Sequence, residues 1–203
     1  MHPDEKQSNA AIIRVTHMKK KNNGQSIVGF GHKRETNDFY PTPPETTHAL
    51  MKREIFIGNV WECASGNGAM SKVIEEYNDC ISSDKRRSND VYGEKGVNFL
   101  KTNRTVDNII TNPPYKYAQE FVEHALECAE KKVAMLMKLV FLEGVTRYDL
   151  FKNTPLKTVY VFCKRQKITI RGKKMKNSSM IAYAWFVWDK EYHGKPTIEW
   201  IKD

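Results

Sequence analysis

The sequence predicts an α/β fold built on a mostly parallel, seven-stranded sheet with an antiparallel C-terminal hairpin. From Asn59 onward, strand-like apolar segments alternate with helical patterns, which is typical of parallel strands joined by helical crossovers. Two strand-like segments near the C-terminus have no helical pattern between them, and they predict the hairpin. With 203 residues, the chain has the length of one domain with a complete core.

The N-terminal segment differs in composition from the rest of the chain. Residues 1–36 are polar, rich in Lys, Asn and Gly, and without sustained periodicity. We therefore expect a flexible basic arm over 1–36 and a folded domain over 37–203. The segment "DFYPTPPE" follows the arm. It should be extended, because each proline fixes its own φ and restricts the residue before it.

The secondary structure of the folded domain can be predicted from its apolar patterns. Helices are expected over 46–54, 70–77, 117–130 and 144–153. Strands are expected over 59–64, 79–84, 96–100, 106–112, 132–142, 156–163 and 180–188. In the last of these, alternate residues are apolar on both faces. That strand should therefore lie inside the sheet, covered on both sides, and not at an edge.

The composition indicates a basic intracellular protein. Its 33 Lys and Arg exceed its 24 Asp and Glu, giving a net charge of +9, which favours a polyanionic partner, usually nucleic acid. The N-terminus lacks a secretory pattern and no apolar run is long enough to span a bilayer, so we expect no membrane association. Cys63, Cys80, Cys128 and Cys163 lack metal-ligand spacing. They predict reduced thiols and no metal site.

A glycine-containing turn follows the first predicted strand, in "WECASGNGAM". Glu62 ends the strand, and Ala64, Gly66 and Gly68 precede the next helix. Small residues allow a sharp turn and close approach of a ligand, although a plain tight turn has the same pattern. Asp84 ends the second strand, where a carboxylate can accept hydrogen bonds from both hydroxyls of a ribose. A helix cap or a solvated loop acid is the alternative for Asp84.

The acid beside this turn indicates the type of ligand. Glu62 would repel a pyrophosphate and would favour a cationic group, such as the amino group of a methionine moiety. In "GVNFL", Asn98 supplies an amide and Phe99 supplies a ring for an adenine. The alternative for Phe99 is a position in the core.

The segment "NPPY" follows a strand that should be central in the sheet. Pro113 and Pro114 stiffen the turn, so that the Asn112 side-chain oxygen and the Pro113 carbonyl can face one point. Two converging acceptors suit an NH₂ group, and Tyr115 offers a face for a planar group to stack on. The alternative is a proline-terminated loop without function.

Together these motifs resemble those of the S-adenosylmethionine-dependent amino-methyltransferases that modify adenine N6 in DNA. "TPPETTHALM" resembles their upstream cofactor motif, "ECASGNG" their acid–glycine motif and "NPPY" their catalytic motif, while "NFL" resembles a motif that begins with an acid in that family. The motif order is similar to that of the gamma class and of compact phage and prophage enzymes. The resemblance covers about residues 37–145.

The resemblance implies a Rossmann-like class I methyltransferase fold and S-adenosyl-L-methionine as the cofactor. The residues that match its cofactor motifs are Thr42, Pro43, Glu62, Ala64, Gly66, Gly68, Asp84, Asn98 and Phe99. The residues that match its catalytic motif are Asn112, Pro113, Pro114 and Tyr115. Tyr115 would stack on an extruded base, and Phe141 is a candidate for the opposite face of that base, with a core position as the alternative.

A basic segment separates the last two predicted strands. It holds seven cations and no acid: Lys164, Arg165, Lys167, Arg171, Lys173, Lys174 and Lys176. Such a loop can follow the phosphates of a nucleic acid, although a solvated hairpin tip has the same composition.

These observations predict methylation of adenine N6 in DNA. The chain has no room for a large target-recognition domain, so we expect short or little sequence preference. The alternatives are methylation of an RNA base (adenine N6 or guanine N2), methylation of a protein glutamine, and a non-catalytic nucleic-acid-binding protein on the same fold. The expected partner is nucleic acid, with DNA favoured over RNA. The expected location is the cytoplasm of a bacterial or phage-infected cell.

Overall fold

The computed structural model describes residues 41–166 and 181–202. The predicted basic arm and most of the predicted basic loop lie outside these ranges. The described helices are α1 (Pro44–Met51), α2 (Ser71–Ile74), α3 (Ala118–Cys128) and α4 (Tyr148–Asn153). Short 3₁₀ turns lie at Phe99–Lys101, Tyr115–Tyr117, Leu139–Leu142 and Val145–Arg147. Within the described ranges, no helix has both the length and the apolar composition that a membrane span requires.

One mixed sheet forms the centre of the domain. Its eight described strands are β1 (Val60–Glu62), β2 (Cys80–Asp84), β3 (Glu94–Lys95), β4 (Val106–Thr111), β5 (Ala129–Lys138), β6 (Leu156–Phe162), β7 (Tyr183–Asp189) and β8 (Thr197–Ile201). They lie in the order β3-β2-β1-β4-β5-β7-β6-β8. β1 to β5 pair in parallel, whereas β7 is antiparallel to both β5 and β6.

The strand directions define two edges of the sheet. The parallel strands β1, β2, β4, β5 and β6 all end at one edge, which we call the carboxyl edge, and begin at the other, the amino edge. The chain segment between β6 and β7 leaves from the carboxyl edge, because β7 runs in the opposite direction. Every loop that carries a predicted site residue after a parallel strand therefore meets at the same edge.

The buried faces of β7 confirm the prediction for this strand. It lies between β5 and β6, inside the sheet. Its alternate side chains enter two different core clusters: Ala184, Phe186 and Trp188 in one, and Tyr183, Trp185 and Val187 in the other. The α/β architecture and the antiparallel β6–β7 pair are confirmed as well.

The helices form where apolar periodicity and turn chemistry agree. α1 begins with Pro44 at its first helical position, where a missing N–H costs no hydrogen bond. In α3, Phe121, Ala125 and Cys128 are buried on one face, as the helical spacing predicts. α2 is shorter than the predicted 70–77 helix, and Tyr77 beyond its end is 46% exposed.

The sheet differs from the predicted seven strands in three places. The third strand lies at Glu94–Lys95 and not at 96–100, because Phe99 turns into the core at the start of a 3₁₀ turn. β5 stops at Lys138, and a 3₁₀ turn follows in place of the last predicted strand residues. An eighth strand, β8, pairs with β6 and is the outermost strand on that side of the sheet. It is absent from the predicted strands, although Ile198 and Trp200 alternate with Thr197 and Glu199. Only Ile201 among its residues is buried.

Candidate active site at the carboxyl edge

The candidate site lies at the point in the sheet where the order of successive strands reverses, between β1 and β4. β1 is followed by β2 on one side, whereas β4 lies on its other side and is followed by β5. A crevice forms at the carboxyl ends of such neighbouring strands, and ligands of open α/β sheets bind there. Glu62 is the last residue of β1 and Thr111 the last of β4. The Thr111 hydroxyl donates a hydrogen bond of 2.7 Å to Glu62 Oε1, which joins the two strand ends.

Glu62 is a buried carboxyl group at the base of this crevice. The residue is 1% exposed. Burial, with a smaller contribution from the nearby Asp84, raises the pKa of Glu62 from 4.5 to about 8, although the hydrogen bonds from Thr111 and the Ala64 N–H act to lower it. Oε2 accepts only a long hydrogen bond of 3.5 Å, from the Ser71 hydroxyl. A cationic group placed beside Glu62 would stabilise its charged form.

The glycine turn is shaped by backbone conformations that favour glycine. Gly66 and Gly68 have φ values of 57° and 78°. A Cβ on Gly68 would lie 2.4 Å from the Tyr92 Cγ atom, so the Tyr92 ring packs directly against the turn. The missing Cβ of Gly68 therefore makes room for the Tyr92 ring, and both glycines are buried in the turn.

Asp84 holds this turn against the end of β2. Its Oδ2 accepts a hydrogen bond of 2.9 Å from the Gly66 N–H. Its Oδ1 accepts hydrogen bonds from the Arg86 backbone N–H at 2.7 Å and from Arg86 Nε at 3.3 Å. A carboxylate has about four acceptor positions on its two oxygens, so these three bonds leave about one for a ribose hydroxyl.

The upstream motif and the NPPY turn meet in the folded chain. Asn112 Nδ2 donates a hydrogen bond of 3.0 Å to Thr42 Oγ1. Thr42 is 5% exposed and stands just before Pro43, the residue that caps α1. Because the amide nitrogen is directed to Thr42, the amide oxygen lies on the opposite branch of the side chain. Pro113 is buried behind Asn112, which limits the movement of the turn.

Tyr115 opens the 3₁₀ turn after the two prolines and is half-buried. Its ring centroid lies 5.9 Å from that of Tyr183, at the start of β7. The Lys138 ammonium lies 4.7 Å from the Tyr115 centroid. Neither Tyr183 nor Lys138 was a predicted site residue. In the sequence, Lys138 is marked only as a charged residue within an apolar strand segment.

Phe99 lies in the core and not at the surface of the crevice. It is 2% exposed, and its ring centroid is 5.3 Å from Trp61 and 4.9 Å from Phe121. Asn98, its neighbour, is half-buried beside the 3₁₀ turn. The roles predicted for both residues in binding adenine stay predictions, and the Phe99 side chain is placed as the core alternative expects.

Phe141 is packed in a similar way. Its ring centroid lies 5.7 Å from Phe151 and 5.6 Å from Phe186, and the residue is 8% exposed. The Arg147 guanidinium carbon lies 5.0 Å from the Phe141 ring centroid. These contacts again match the core alternative, and the predicted role in stacking on a base stays a prediction.

The first part of the basic segment lies at the carboxyl edge. Lys164 and Arg165 are exposed just after β6. Gln166 is 9% exposed, and its Oε1 accepts a hydrogen bond of 2.7 Å from the Thr46 hydroxyl of α1. This bond anchors the end of the described segment to the helix that follows Thr42. The remaining predicted cations lie outside the described residues: Lys167, Arg171, Lys173, Lys174 and Lys176.

The cysteines form no disulfide bond with one another. All four cysteines are free, with Cys63 and Cys128 buried and Cys163 exposed. Among the residues that the structure describes, no group of three or more His, Cys, Asp or Glu side chains could hold a metal ion.

Comparison with known proteins identifies the fold. No protein-family model matches the sequence, and no curated protein matches it in sequence. Solved structures do match. One is a candidate modification subunit of a type I restriction enzyme from Vibrio vulnificus, with a TM-score of 0.58 and 14% identity over 84% of this chain and 48% of that subunit. The chain thus spans about half the length of the Vibrio subunit.

Two further structures give the same result. A candidate RNA methyltransferase from Pyrococcus horikoshii has a TM-score of 0.59 and 15% identity, over 80% of this chain and 92% of that one. A candidate class I S-adenosylmethionine-dependent methyltransferase from Listeria monocytogenes has a TM-score of 0.56 and 9% identity, over 85% and 68% of the two chains. The protein therefore has the Rossmann-like fold of the class I methyltransferases, and at these identities the similarity shows the fold alone.

Proposed function

We propose that this protein transfers a methyl group from S-adenosylmethionine to the N6 amino group of adenine in DNA, with short or little sequence preference. The observation that carries this proposal is the hydrogen bond between Asn112 and Thr42 at the switch point of a class I methyltransferase fold. It joins the upstream motif to the NPPY turn, beside the pair formed by Thr111 and Glu62.

The residues at the crevice fit the proposed cofactor. Glu62 is a buried acid suited to the cationic amino group of the methionine moiety. Asp84, held at the end of β2, suits a ribose hydroxyl. Gly66 and Gly68 carry no side chain in the turn between Glu62 and Asp84. When bound, S-adenosylmethionine supplies an electrophilic methyl group on a sulfonium sulfur.

The NPPY turn supplies the chemistry on the acceptor side. An exocyclic amino group is a weak nucleophile, because its lone pair is delocalised into the ring. Hydrogen bonds from its two protons to Asn112 Oδ1 and the Pro113 carbonyl would hold the nitrogen and favour a tetrahedral geometry. Asn112 and the Pro113 carbonyl would thereby direct the lone pair of that nitrogen toward the methyl group that the cofactor would supply, and the nitrogen would release one of its protons to water. Tyr115 would fix the plane of the base by stacking.

DNA is favoured over the other substrates by charge and by one structural similarity. The net charge of +9 suits a polyanion, and Lys164 and Arg165 are exposed at the same edge of the sheet as Asn112. The modification subunit from Vibrio vulnificus belongs, by its description, to a DNA restriction system. The similar structure described as an RNA methyltransferase candidate makes an RNA base the second candidate substrate. A DNA substrate would place the reaction in the cytoplasm of a bacterial or phage-infected cell.

The test is to incubate the protein with methyl-labelled S-adenosylmethionine and separate samples of duplex DNA, RNA and host-cell protein extract. We expect label in DNA, recovered as N6-methyladenine on nucleoside mass spectrometry. Asn112→Ala should abolish the transfer, whereas Lys190→Gln, at the amino edge of the sheet, should leave it unchanged. Label only in RNA or only in protein would overturn the DNA assignment. Unchanged transfer by Asn112→Ala would overturn the catalytic assignment, and no transfer to any sample would favour a non-catalytic protein.

A further inference from the structure

The lysines at the two edges of the sheet have different partners. At the amino edge they pair with carboxylates: Lys131 with Asp107 at 2.7 Å, Lys132 with Glu54 at 2.9 Å, and Lys157 with Asp189 at 3.3 Å. The positive charges of these three lysines are therefore compensated within the fold. Such lysines have little attraction left for an external anion.

At the carboxyl edge, two lysines lie over tyrosine rings instead. Lys138 ends β5, with its ammonium 4.7 Å from the Tyr115 centroid. Lys116 follows Tyr115 directly, with its ammonium 5.1 Å from the Tyr117 centroid. In the part of the chain that the structure describes, neither ammonium forms an ion pair with a carboxylate. A ring face attracts a cation without cancelling its charge.

The position of these charges relative to Tyr115 suggests their ligand. A base stacked on Tyr115 carries its sugar and phosphates out of the crevice, past the residues that flank the ring. Lys116 follows Tyr115 in the sequence and is exposed. Lys138 approaches the Tyr115 ring from the end of β5, the strand beside β4. Tyr117 is 42% exposed and offers a second ring for a neighbouring base. Aromatic rings interleaved with cations are the usual design of single-strand nucleic-acid sites.

We propose that Lys116 and Lys138 form a phosphate-binding pair that holds the DNA backbone on the two sides of the extruded nucleotide. This inference rests on the proposed function and identifies residues that neither the motifs nor the basic segment include. The pair would anchor the backbone while the base enters the crevice, so that the base stays on Tyr115 during methyl transfer.

The test measures how salt affects DNA binding. The probe is a fluorescein-labelled duplex with one adenine opposite an abasic site, and binding is followed by anisotropy over a range of salt concentrations. A lysine that neutralises one phosphate contributes about 0.9 to the slope of log affinity against log salt. We expect Lys116→Gln and Lys138→Gln each to lower that slope by about 1, and the double variant by about 2. Lys138→Arg, which keeps the charge, should retain the slope of the wild type.

The controls separate this inference from the proposed function. Lys190→Gln removes the same charge at the amino edge, where Lys190 is exposed, and should leave the slope unchanged. If the wild type methylates DNA and the slopes of Lys116→Gln and Lys138→Gln equal that of the wild type, the phosphate pair is refuted and the proposed function stands. If the slopes fall but no DNA is methylated, the proposed function fails and the pair stands. Binding to RNA alone, or no binding, overturns the pair as a DNA site.

Discussion

Asn112 and Thr42 are 70 positions apart in the chain and are joined by a hydrogen bond of 3.0 Å, from Asn112 Nδ2 to Thr42 Oγ1. This bond directs the Asn112 amide nitrogen to Thr42, and it therefore fixes the position of the amide oxygen. In the proposed reaction that oxygen accepts a hydrogen bond from the substrate amino group. We therefore propose a positioning role for Thr42 of the upstream motif, in addition to its proposed contact with the cofactor.

Thr42→Val removes this hydrogen bond and retains the side-chain shape. A net hydrogen bond is worth about 1 kcal/mol, so kcat should fall about fivefold because the Asn112 amide loses its preferred orientation. KM for DNA should change little. Thr42→Ser retains the hydroxyl and should retain kcat. Steady-state kinetics with duplex DNA measures both values, and a Thr42→Val variant with the kcat of the wild type would contradict the positioning role.

Glu62 should make the stability of the cofactor-free protein fall with pH. Because burial raises the pKa of Glu62 from 4.5 to about 8, the folded protein keeps a proton that the unfolded chain has lost. The stability contribution is complete below about pH 4.5 and is lost as the pH rises through about 8, by at most about 1.4 kcal/mol per pH unit. Glu62→Gln removes this dependence.

Guanidinium denaturation of both proteins at several pH values measures this effect. The difference in unfolding free energy between wild type and Glu62→Gln should change steadily up to about pH 8 and then level off. The wild type should become the relatively less stable protein as the pH rises. A difference that stays constant with pH would show that the Glu62 pKa is not raised.

Gly68→Ala should destabilise the glycine turn for two reasons. The backbone φ of 78° costs about 1–2 kcal/mol for a residue with a Cβ. The new methyl group would also lie 2.4 Å from the Tyr92 Cγ atom. Tyr92→Ala removes the ring but keeps the Cβ atom of residue 92, which lies 2.7 Å from the new methyl group, and it leaves the φ strain unchanged. Gly68→Ala should therefore cost less stability in the Tyr92→Ala background than in the wild type, but the cost should not vanish. Denaturation of all four proteins measures both costs, and a cost of zero in the Tyr92→Ala background would contradict the φ term.

Phe99→Leu should lower stability without weakening cofactor binding. The Phe99 ring lies in the core between Trp61 and Phe121, so a smaller side chain leaves a cavity that costs about 1–3 kcal/mol. No part of the ring is placed to contact a ligand in the crevice, since the residue is 2% exposed. Calorimetric titration with S-adenosylmethionine, at a temperature where the variant is folded, measures the affinity. A clear loss of affinity would support the adenine-binding role predicted for Phe99.

Much of the fold is visible in the sequence because it follows from local patterns. Alternating apolar residues predict β7 as an interior strand, and its side chains do enter both core clusters. Small residues after β1 predict the turn in which Gly66 and Gly68 adopt positive φ values. The edge strand β8 has only a short alternation, at Ile198 and Trp200, and the early end of β5 at Lys138 has no such pattern.

Residue type and spacing along the chain thus determined the α/β architecture, the glycine turn and the NPPY turn, since apolar periodicity and turn preferences are properties of neighbouring residues. Tertiary structure alone decided that Thr111 binds Glu62, that Thr42 orients Asn112, and that the Phe99 ring enters the core. These contacts join segments far apart in the chain, and they depend on the order of the strands. That order minimises the free energy of the whole sheet and its covering helices, which no single segment encodes.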